Sequence, residues 1–271
     1  MSLANQLNDN KDTIQKSLYI GRANWDGLVE KVSKAEQEQN ANFKDEQILT
    51  FLVCAAYAAV ESLGVANLSE VLSGGNVSTE KIWFEVLPYP TRELEGNTNL
   101  DLAIGNITLR SDTKSGIQLK EENYTAICFC ECKWLSDISL GVSRDTHRNQ
   151  MARVIENALL FSDARGRLAS NVYFTLVTPS MFRSRSQFSR LYQYKWKDYQ
   201  TEEMLIADLD SCNLEPRSGL SAPSTRASVL NLKWVTYEEL IFAAPTSALQ
   251  AEVHNFFRKL SLVEFTDSLV F

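Results

Sequence analysis

Long hydrophobic runs and the residues of flexible linkers are both scarce in this sequence. The longest apolar run, 51–60, has ten residues, and a helix needs roughly 20 to cross a bilayer. We therefore expect no membrane span. Eleven glycines and six prolines in 271 residues exclude a collagen-like or linker-like chain. The two histidines, His147 and His254, are far apart, so we expect a surface residue and a structural one rather than metal ligands.

Signs of export are missing as well. The first residues, MSLANQLNDNKD, lack a charged segment followed by an apolar one, so no secretory signal peptide is expected. Five cysteines at irregular spacing indicate a reduced, cytoplasmic protein. Cys128, Cys130 and Cys132 alternate along one segment, and same-face strand positions about 7 Å apart are too wide for one tetrahedral zinc. Buried thiols are the better interpretation.

Several common catalytic motifs are absent from the sequence. It has no G-x-S-x-G, no P-loop and no Rossmann glycine fingerprint, which disfavours the enzyme classes that use them. Hydrophobic residues make up 44% of the chain and charged residues 23%, as is ordinary for a globular protein. No internal repeat or linker divides the chain.

Charge is distributed unevenly along the chain. The net charge is −7, but residues 142–199 hold ten basic and four acidic residues, a net of +6 that leaves −13 for the remainder. Such asymmetry favours one face that binds a polyanion. We expect the arginines of this segment to surround the functional site: Arg144, Arg148, Arg153, Arg183, Arg185 and Arg190.

Periodicity predicts an α/β protein with one mixed central sheet flanked by helices. Residues 1–44 are interpreted as an N-terminal helical extension and 45–271 as the α/β domain. Within the domain, the patterns predict helices over 45–63, 145–161, 181–199 and 237–244, and a last helix that begins near Ser247. Strands are predicted over 82–87, 100–107, 125–134, 172–178 and 229–235, and a long polar loop over 208–228.

One strand carries charged residues in an apolar setting. In Phe129-Cys-Glu-Cys-Lys133, alternation places Glu131 and Lys133 on one face and the cysteines on the other. Burying such charges is costly unless they are paired or bind a metal. If the strand that contains Asp101 pairs with this one, the two carboxylates and the backbone carbonyl of Cys132 form an oxygen site suited to Mg²⁺ or Mn²⁺. Lys133 beside them completes the groups needed for metal-assisted phosphodiester hydrolysis.

Asp101 in Leu-Asp-Leu-Ala-Ile, followed by Glu131-Cys-Lys133 in an apolar strand, resembles the PD-(D/E)XK nuclease superfamily. The resemblance covers about 45–178, in the order α-β-β-β-α-β, and implies a restriction-endonuclease-like fold. It implies that Asp101 and Glu131 bind the metal and that Lys133 is catalytic. By position, Glu61 on the first core helix and Gln150 on the helix after the Glu-x-Lys strand are further candidates. Leu100 stands where the motif has proline, and the 30-residue gap between the two acids requires a hairpin extension.

The resemblance implies a Mg²⁺- or Mn²⁺-dependent nuclease acting on DNA, and a homodimer or a partner subunit is compatible with it. The main alternative is a non-catalytic nucleic-acid-binding or assembly module that keeps the nuclease fold. At residue level, Glu131 and Lys133 could instead form an ion pair on a solvated edge strand, Glu85 is a competing acid, and the helix 181–199 could simply cover the sheet. DNA versus RNA and endonuclease versus exonuclease action are left open by the sequence.

Overall fold

A computed structural model of the chain describes residues 2–38, 43–111, 113–122, 125–138, 149–184 and 190–260. Among them, the strands are β1 Leu18–Ile20, β2 Ile82–Val86, β3 Leu100–Gly105, β4 Ile107–Leu109, β5 Ile117–Leu119, β6 Ala126–Cys132, β7 Asn171–Thr178 and β8 Leu230–Thr236. The helices before β6 are α1 Leu3–Asp9, α2 Lys11–Ser17, α3 Trp25–Glu38, α4 Glu46–Ala58 and α5 Glu61–Ser73. Those after it are α6 Gln150–Leu159, α7 Ser180–Ser184, α8 Leu191–Asp198, α9 Glu202–Asp210, α10 Tyr237–Ala243 and α11 Ala248–Lys259, with a 3-10 helix over Pro223–Val229.

Six strands form one mixed sheet in the order β1-β2-β3-β6-β7-β8. Strand β3 is antiparallel to both of its neighbours, whereas β1 is parallel to β2, and β6, β7 and β8 are parallel to one another. The carboxyl ends of β2 and β6 therefore lie at the same edge of the sheet, where β3 begins. The predicted mixed α/β sheet flanked by helices is confirmed.

Each face of the sheet is covered by its own apolar core. On one face, the alternate cysteines of β6 pack with α4, α5, α10 and α11. On the other, Phe129, Phe174 and Leu176 pack against α6 and α8. The strands are buried on both sides because helices cover both faces, and burial of this apolar surface is the main contribution to stability.

The N-terminal residues belong to the same core rather than to a separate layer. Strand β1 pairs with β2 in the register Leu18↔Ile82, and the buried Leu7, Ile14 and Val32 share the core of α4. Residues 3–38 thus supply three helices and one edge strand. The sequence pattern did not predict the strand, because three residues carry too little periodicity. No helix within the described ranges is long and apolar enough to cross a membrane.

Two helices predicted as continuous are divided. The segment 45–63 contains all of α4 and the start of α5, because the chain turns at Glu61, whose φ is 50°. Gly64 permits the close crossing of α4 and α5, since a Cβ atom there would lie 1.7 Å from the carbonyl oxygen of Tyr57. The segment 181–199 contains α7 and α8, and the predicted loop 208–228 includes most of the 3-10 helix.

Candidate active site

The charged residues of β6 lie where alternation places them. Ile127 and Phe129 face the core of α6, so Glu131 and then Lys133 continue on the same side, while the three cysteines face the opposite core. Glu131 has no exposed surface and Lys133 is 6% exposed. The alternative of a solvated edge strand is wrong, because β6 lies between β3 and β7 and both charges are buried.

Asp101 joins these residues from the neighbouring strand. The β3–β6 register pairs Leu102 with Cys130, and its continuation by one residue places Asp101 opposite Glu131. The carboxylate oxygen Oδ2 of Asp101 accepts a hydrogen bond of 2.8 Å from the backbone N–H of Cys132. The carbonyl of Cys132 points to the same side as its N–H, toward Asp101. Asp101 is half-buried, whereas Glu131 and Lys133 are buried.

Lys133 is held between two carboxylates. Its Nζ lies 2.8 Å from Oε1 of Glu131 and donates a hydrogen bond of 3.1 Å to Oε1 of Glu46. The ammonium therefore balances part of the buried negative charge, as a charged group in a protein interior requires.

Glu46 is the member of the cluster that the sequence interpretation missed. It lies in the first turn of α4, directly after the N-cap Asp45. Its Oε2 accepts hydrogen bonds of 2.7 Å from the backbone N–H of Trp134 and from Oγ of Ser136. One feature of the sequence could have indicated Glu46. It is an acid in the first turn of a predicted helix, where the helix dipole favours a carboxylate.

Glu61 was predicted for this role, and the structure places it elsewhere. It begins α5, its side chain is 55% exposed, and its carboxylate lies 3.2 Å from Nζ of Lys16. The prediction failed because it assumed one helix over 45–63, which would put its acid near the carboxyl end. The break between α4 and α5 instead leaves Glu46, at the amino end, beside Lys133.

Burial and mutual repulsion dominate the electrostatics of the cluster. Burial raises the pKa of the Asp101 carboxyl well above its ordinary value, and the Glu131 carboxylate raises it further. Burial also raises the pKa of Glu131, against the influence of Lys133. For Lys133, burial acts to lower the pKa, but Glu131, Asp101 and Glu46 outweigh it and raise the pKa above that of an ordinary lysine. Lys133 therefore remains an ammonium, suited to holding an anionic oxygen rather than to acting as a base.

The oxygen donors fit a hard divalent cation. Oε2 of Glu131 is buried and has no hydrogen-bond partner within the described residues, although a buried carboxylate oxygen ordinarily has one. Two opposed carboxylates and a carbonyl are what Mg²⁺ or Mn²⁺ uses when it retains several waters. No group of three or more His, Cys, Asp or Glu side chains in the described part of the chain is placed to enclose a metal.

Without metal, replacing Asp101 by asparagine is expected to stabilise the protein. Because the pKa of Asp101 is raised in the folded state, the stability that this group contributes is lost as pH rises through the folded-state pKa. Thermal unfolding in EDTA at about pH 8 should show a gain of about 2–4 °C for Asp101→Asn, equivalent to ~1 kcal/mol. The gain should vanish at about pH 4, near the ordinary pKa of aspartate. Equal melting temperatures of Asp101→Asn and the wild type at both pH values would contradict the conclusion that ionised Asp101 destabilises the folded protein.

Three further residues bear on the site. Gln150 begins α6 and is half-buried, and its predicted role near the scissile phosphate stays a prediction. Glu85 is buried, has a φ of 54° and accepts a hydrogen bond of 2.5 Å from Nδ2 of Asn99.

Tyr192 of α8 is a residue that sequence reasoning missed. Its hydroxyl is buried and has no hydrogen-bond partner among the described residues. Burial raises its pKa, with Arg190 opposing and Asp137 and Glu46 adding to the effect.

The arginines predicted to bind nucleic acid are largely committed to other contacts. Arg153 is buried, with Nε 3.3 Å from Oε1 of Glu95. Arg183 donates two hydrogen bonds, of 2.9 and 2.6 Å, to the Glu239 carboxylate. Arg190 stacks on Phe182, 4.8 Å from the ring centroid. The prediction for Arg153 is therefore wrong, since α6 turns this side chain inward. Arg144, Arg148 and Arg185 lie outside the described residues.

Comparisons of the chain with family models, with curated proteins and with solved structures found no match.

Proposed function

We propose that this protein is a metal-dependent nuclease that hydrolyses phosphodiester bonds, with DNA as its substrate, on a restriction-endonuclease-like α/β fold. The observation that carries the proposal is the placement of Asp101 opposite Glu131, with Lys133 paired to Glu131 on the same side of β6. Apolar side chains could fill the same space without the desolvation cost of these buried charges. We therefore attribute the charges to function rather than to stability.

The order of elements supports the proposal. From α4 to β7 the chain follows the α-β-β-β-α-β order that the sequence resemblance implies, with α5 added before β2 and the hairpin β4–β5 added before β6. The long gap between the two acids is occupied by the hairpin β4–β5, which pairs in the register Ile107↔Leu119 outside the main sheet. The hairpin extension required by the motif is therefore present.

In the proposed reaction, Asp101, Glu131 and the carbonyl of Cys132 would hold Mg²⁺ or Mn²⁺. When bound, such an ion polarises a phosphoryl oxygen and lowers the pKa of a coordinated water. Lys133 donates hydrogen bonds to a phosphate oxygen and stabilises its charge in the transition state. Glu46 holds the Lys133 ammonium in position and ties it to the end of β6 through the N–H of Trp134.

Plasmid cleavage tests this proposal directly. Purified protein is incubated with supercoiled plasmid, linear duplex, single-stranded DNA and RNA in Mg²⁺, Mn²⁺ or EDTA. We expect cleavage of DNA with either metal, none in EDTA, and none by Glu131→Gln. Glu61→Gln is the matched control, because it removes the same charge from an exposed position and should cleave like the wild type.

Failure would take one of two forms. Equal cleavage by wild type and Glu131→Gln would assign the activity to another site or to a contaminant. Binding of DNA without cleavage of any substrate would favour the alternative, a non-catalytic module that keeps the fold.

A homodimer or a partner subunit that lets two sites cut both strands is part of the proposal, and mass measurement in solution with duplex DNA tests it. A cytoplasmic location fits the buried free thiols of Cys54, Cys128, Cys130 and Cys132.

A further inference from the structure

Two arginines that the charge pattern did not single out meet at one exposed aromatic ring. The guanidinium carbon of Arg110 lies 3.8 Å from the ring centroid of Tyr89, and that of Arg217 lies 5.6 Å from the same centroid. Tyr89 is 53% exposed, far more than a packing role for a large aromatic needs. The three residues come from distant parts of the chain, so the fold itself assembles the cluster.

Neither arginine pairs with an acid in the part of the chain that the structure describes. Within the described residues, no ion pair or side-chain hydrogen bond involves Arg110 or Arg217. Nε of Arg110 is buried, so a ligand would contact the terminal nitrogens of this guanidinium. A guanidinium stacked on an aromatic ring keeps the N–H donors at its edge available and loses little further freedom on binding. Two such groups at one ring are preorganised to bind the oxygens of a phosphate.

The topology places this cluster at the edge of the sheet that carries the candidate active site. Tyr89 comes after the carboxyl end of β2, at the edge where β6 ends and β3 begins. The tip of the hairpin β4–β5, which carries Arg110, is fixed there because Leu87 accepts a hydrogen bond of 2.9 Å from the N–H of Ile117 and donates one of 2.8 Å to Ser115. Arg217 is held by its backbone N–H, which donates a hydrogen bond of 2.9 Å to the carbonyl of Thr91.

We propose that Arg110, Tyr89 and Arg217 form a phosphate-binding platform for the nucleic-acid strand that reaches the candidate active site, an assignment that rests on the proposed function. The two guanidinium groups bind backbone phosphate oxygens, and Tyr89 holds both groups next to one ring. The contact is with the sugar-phosphate backbone, so the platform positions a strand without reading its sequence.

Gly116 offers a way to separate geometry from charge. A Cβ atom at this position would lie 2.2 Å from the guanidinium nitrogen Nη2 of Arg110. Alanine there must push the flexible end of Arg110 aside while leaving the charge of the protein unchanged. Gly116→Ala is therefore a positioning variant of the same site.

The test is a salt titration of DNA binding. Fluorescence anisotropy of a labelled duplex and of its single strand is measured in Ca²⁺ over a series of KCl concentrations, with wild type, Arg110→Gln/Arg217→Gln and Gly116→Ala. Each lost phosphate contact should lower the slope of log affinity against log salt by about 0.9 on duplex and about 0.7 on single strand. We expect the double variant to lose about twice these amounts and Gly116→Ala to lose about one contact. Thermal unfolding of each variant checks that it is folded.

The matched control is Arg165→Gln. Arg165 is 70% exposed and precedes β7 at the opposite edge of the sheet, so its loss should leave the slope unchanged. An unchanged slope in the double variant, a loss equal to that of Arg165→Gln, or no DNA binding by wild type would overturn the platform. If the wild type cleaves DNA and the platform variants bind DNA normally, the platform is rejected and the nuclease proposal stands. If the platform variants lose DNA binding while the wild type cleaves no substrate, the platform proposal stands and the nuclease proposal is rejected.

Discussion

Lys133→Met is expected to lower the rate of metal-dependent DNA cleavage by about 10²–10⁴-fold. The ammonium lies between Glu131 and Glu46, where an incoming phosphate would otherwise meet only negative charge. Its raised pKa keeps it protonated through neutral pH, so its loss removes a positive charge aimed at the transition state. Single-turnover cleavage in Mg²⁺ measures the effect, and DNA affinity in Ca²⁺ should change much less than the rate.

Two further lysine variants sharpen this prediction. Lys133→Arg keeps the charge but presents a planar fork in place of a compact ammonium, and we expect it to recover little activity in so enclosed a space. Lys16→Met removes an exposed lysine, 67% exposed and paired with Glu61, and should cleave like the wild type. Wild-type rates for Lys133→Met would remove Lys133 from the reaction.

Arg92→Met is expected to lower the free energy of unfolding by about 3–5 kcal/mol. Nε of Arg92 donates a hydrogen bond of 3.0 Å to Oε1 of Glu156, and the two side chains are 6% and 0% exposed. Removing the arginine takes the Arg92 guanidinium away from the buried Glu156 carboxylate of α6. The same guanidinium donates to the carbonyls of Leu214 and Leu209, so the loop after β2 would also lose its tie to the end of α9.

Urea unfolding of a double-mutant cycle measures this coupling. Arg92→Met/Glu156→Leu removes both charges together, and we expect it to recover at least half of the loss, because no unpaired charge stays buried. The single variant Glu156→Leu, which closes the cycle, should also destabilise the protein, because it leaves the buried Arg92 guanidinium without the Glu156 carboxylate. A single variant Arg92→Met as stable as the wild type would show that the ion pair contributes nothing.

The wrong prediction for Arg153 has a physical cause. The sequence shows where the basic residues lie along the chain, but a guanidinium that is buried and paired with an acid is not available to a phosphate. Arg153 and Arg183 are paired with Glu95 and Glu239, acids that lie far from them in the chain. Arg110 and Arg217 lie outside the basic segment, yet the fold leaves them without an acid among the described residues. Pairings of this kind depend on tertiary contacts that no local pattern encodes.

The sequence alone determined the features that local periodicity sets. The period of two along β6 places Glu131 and Lys133 on one face and the cysteines on the other, whatever the rest of the chain does. Apolar runs likewise defined β2, β3, β7 and β8 to within a few residues. Tertiary structure decided the features that depend on distant partners: the register that sets Asp101 opposite Glu131, the choice of Glu46 over Glu61 beside Lys133, and the meeting of two arginines at Tyr89. Those outcomes depend on where helices break and how strands order in the sheet, and both are set by packing of the whole core rather than by any one segment.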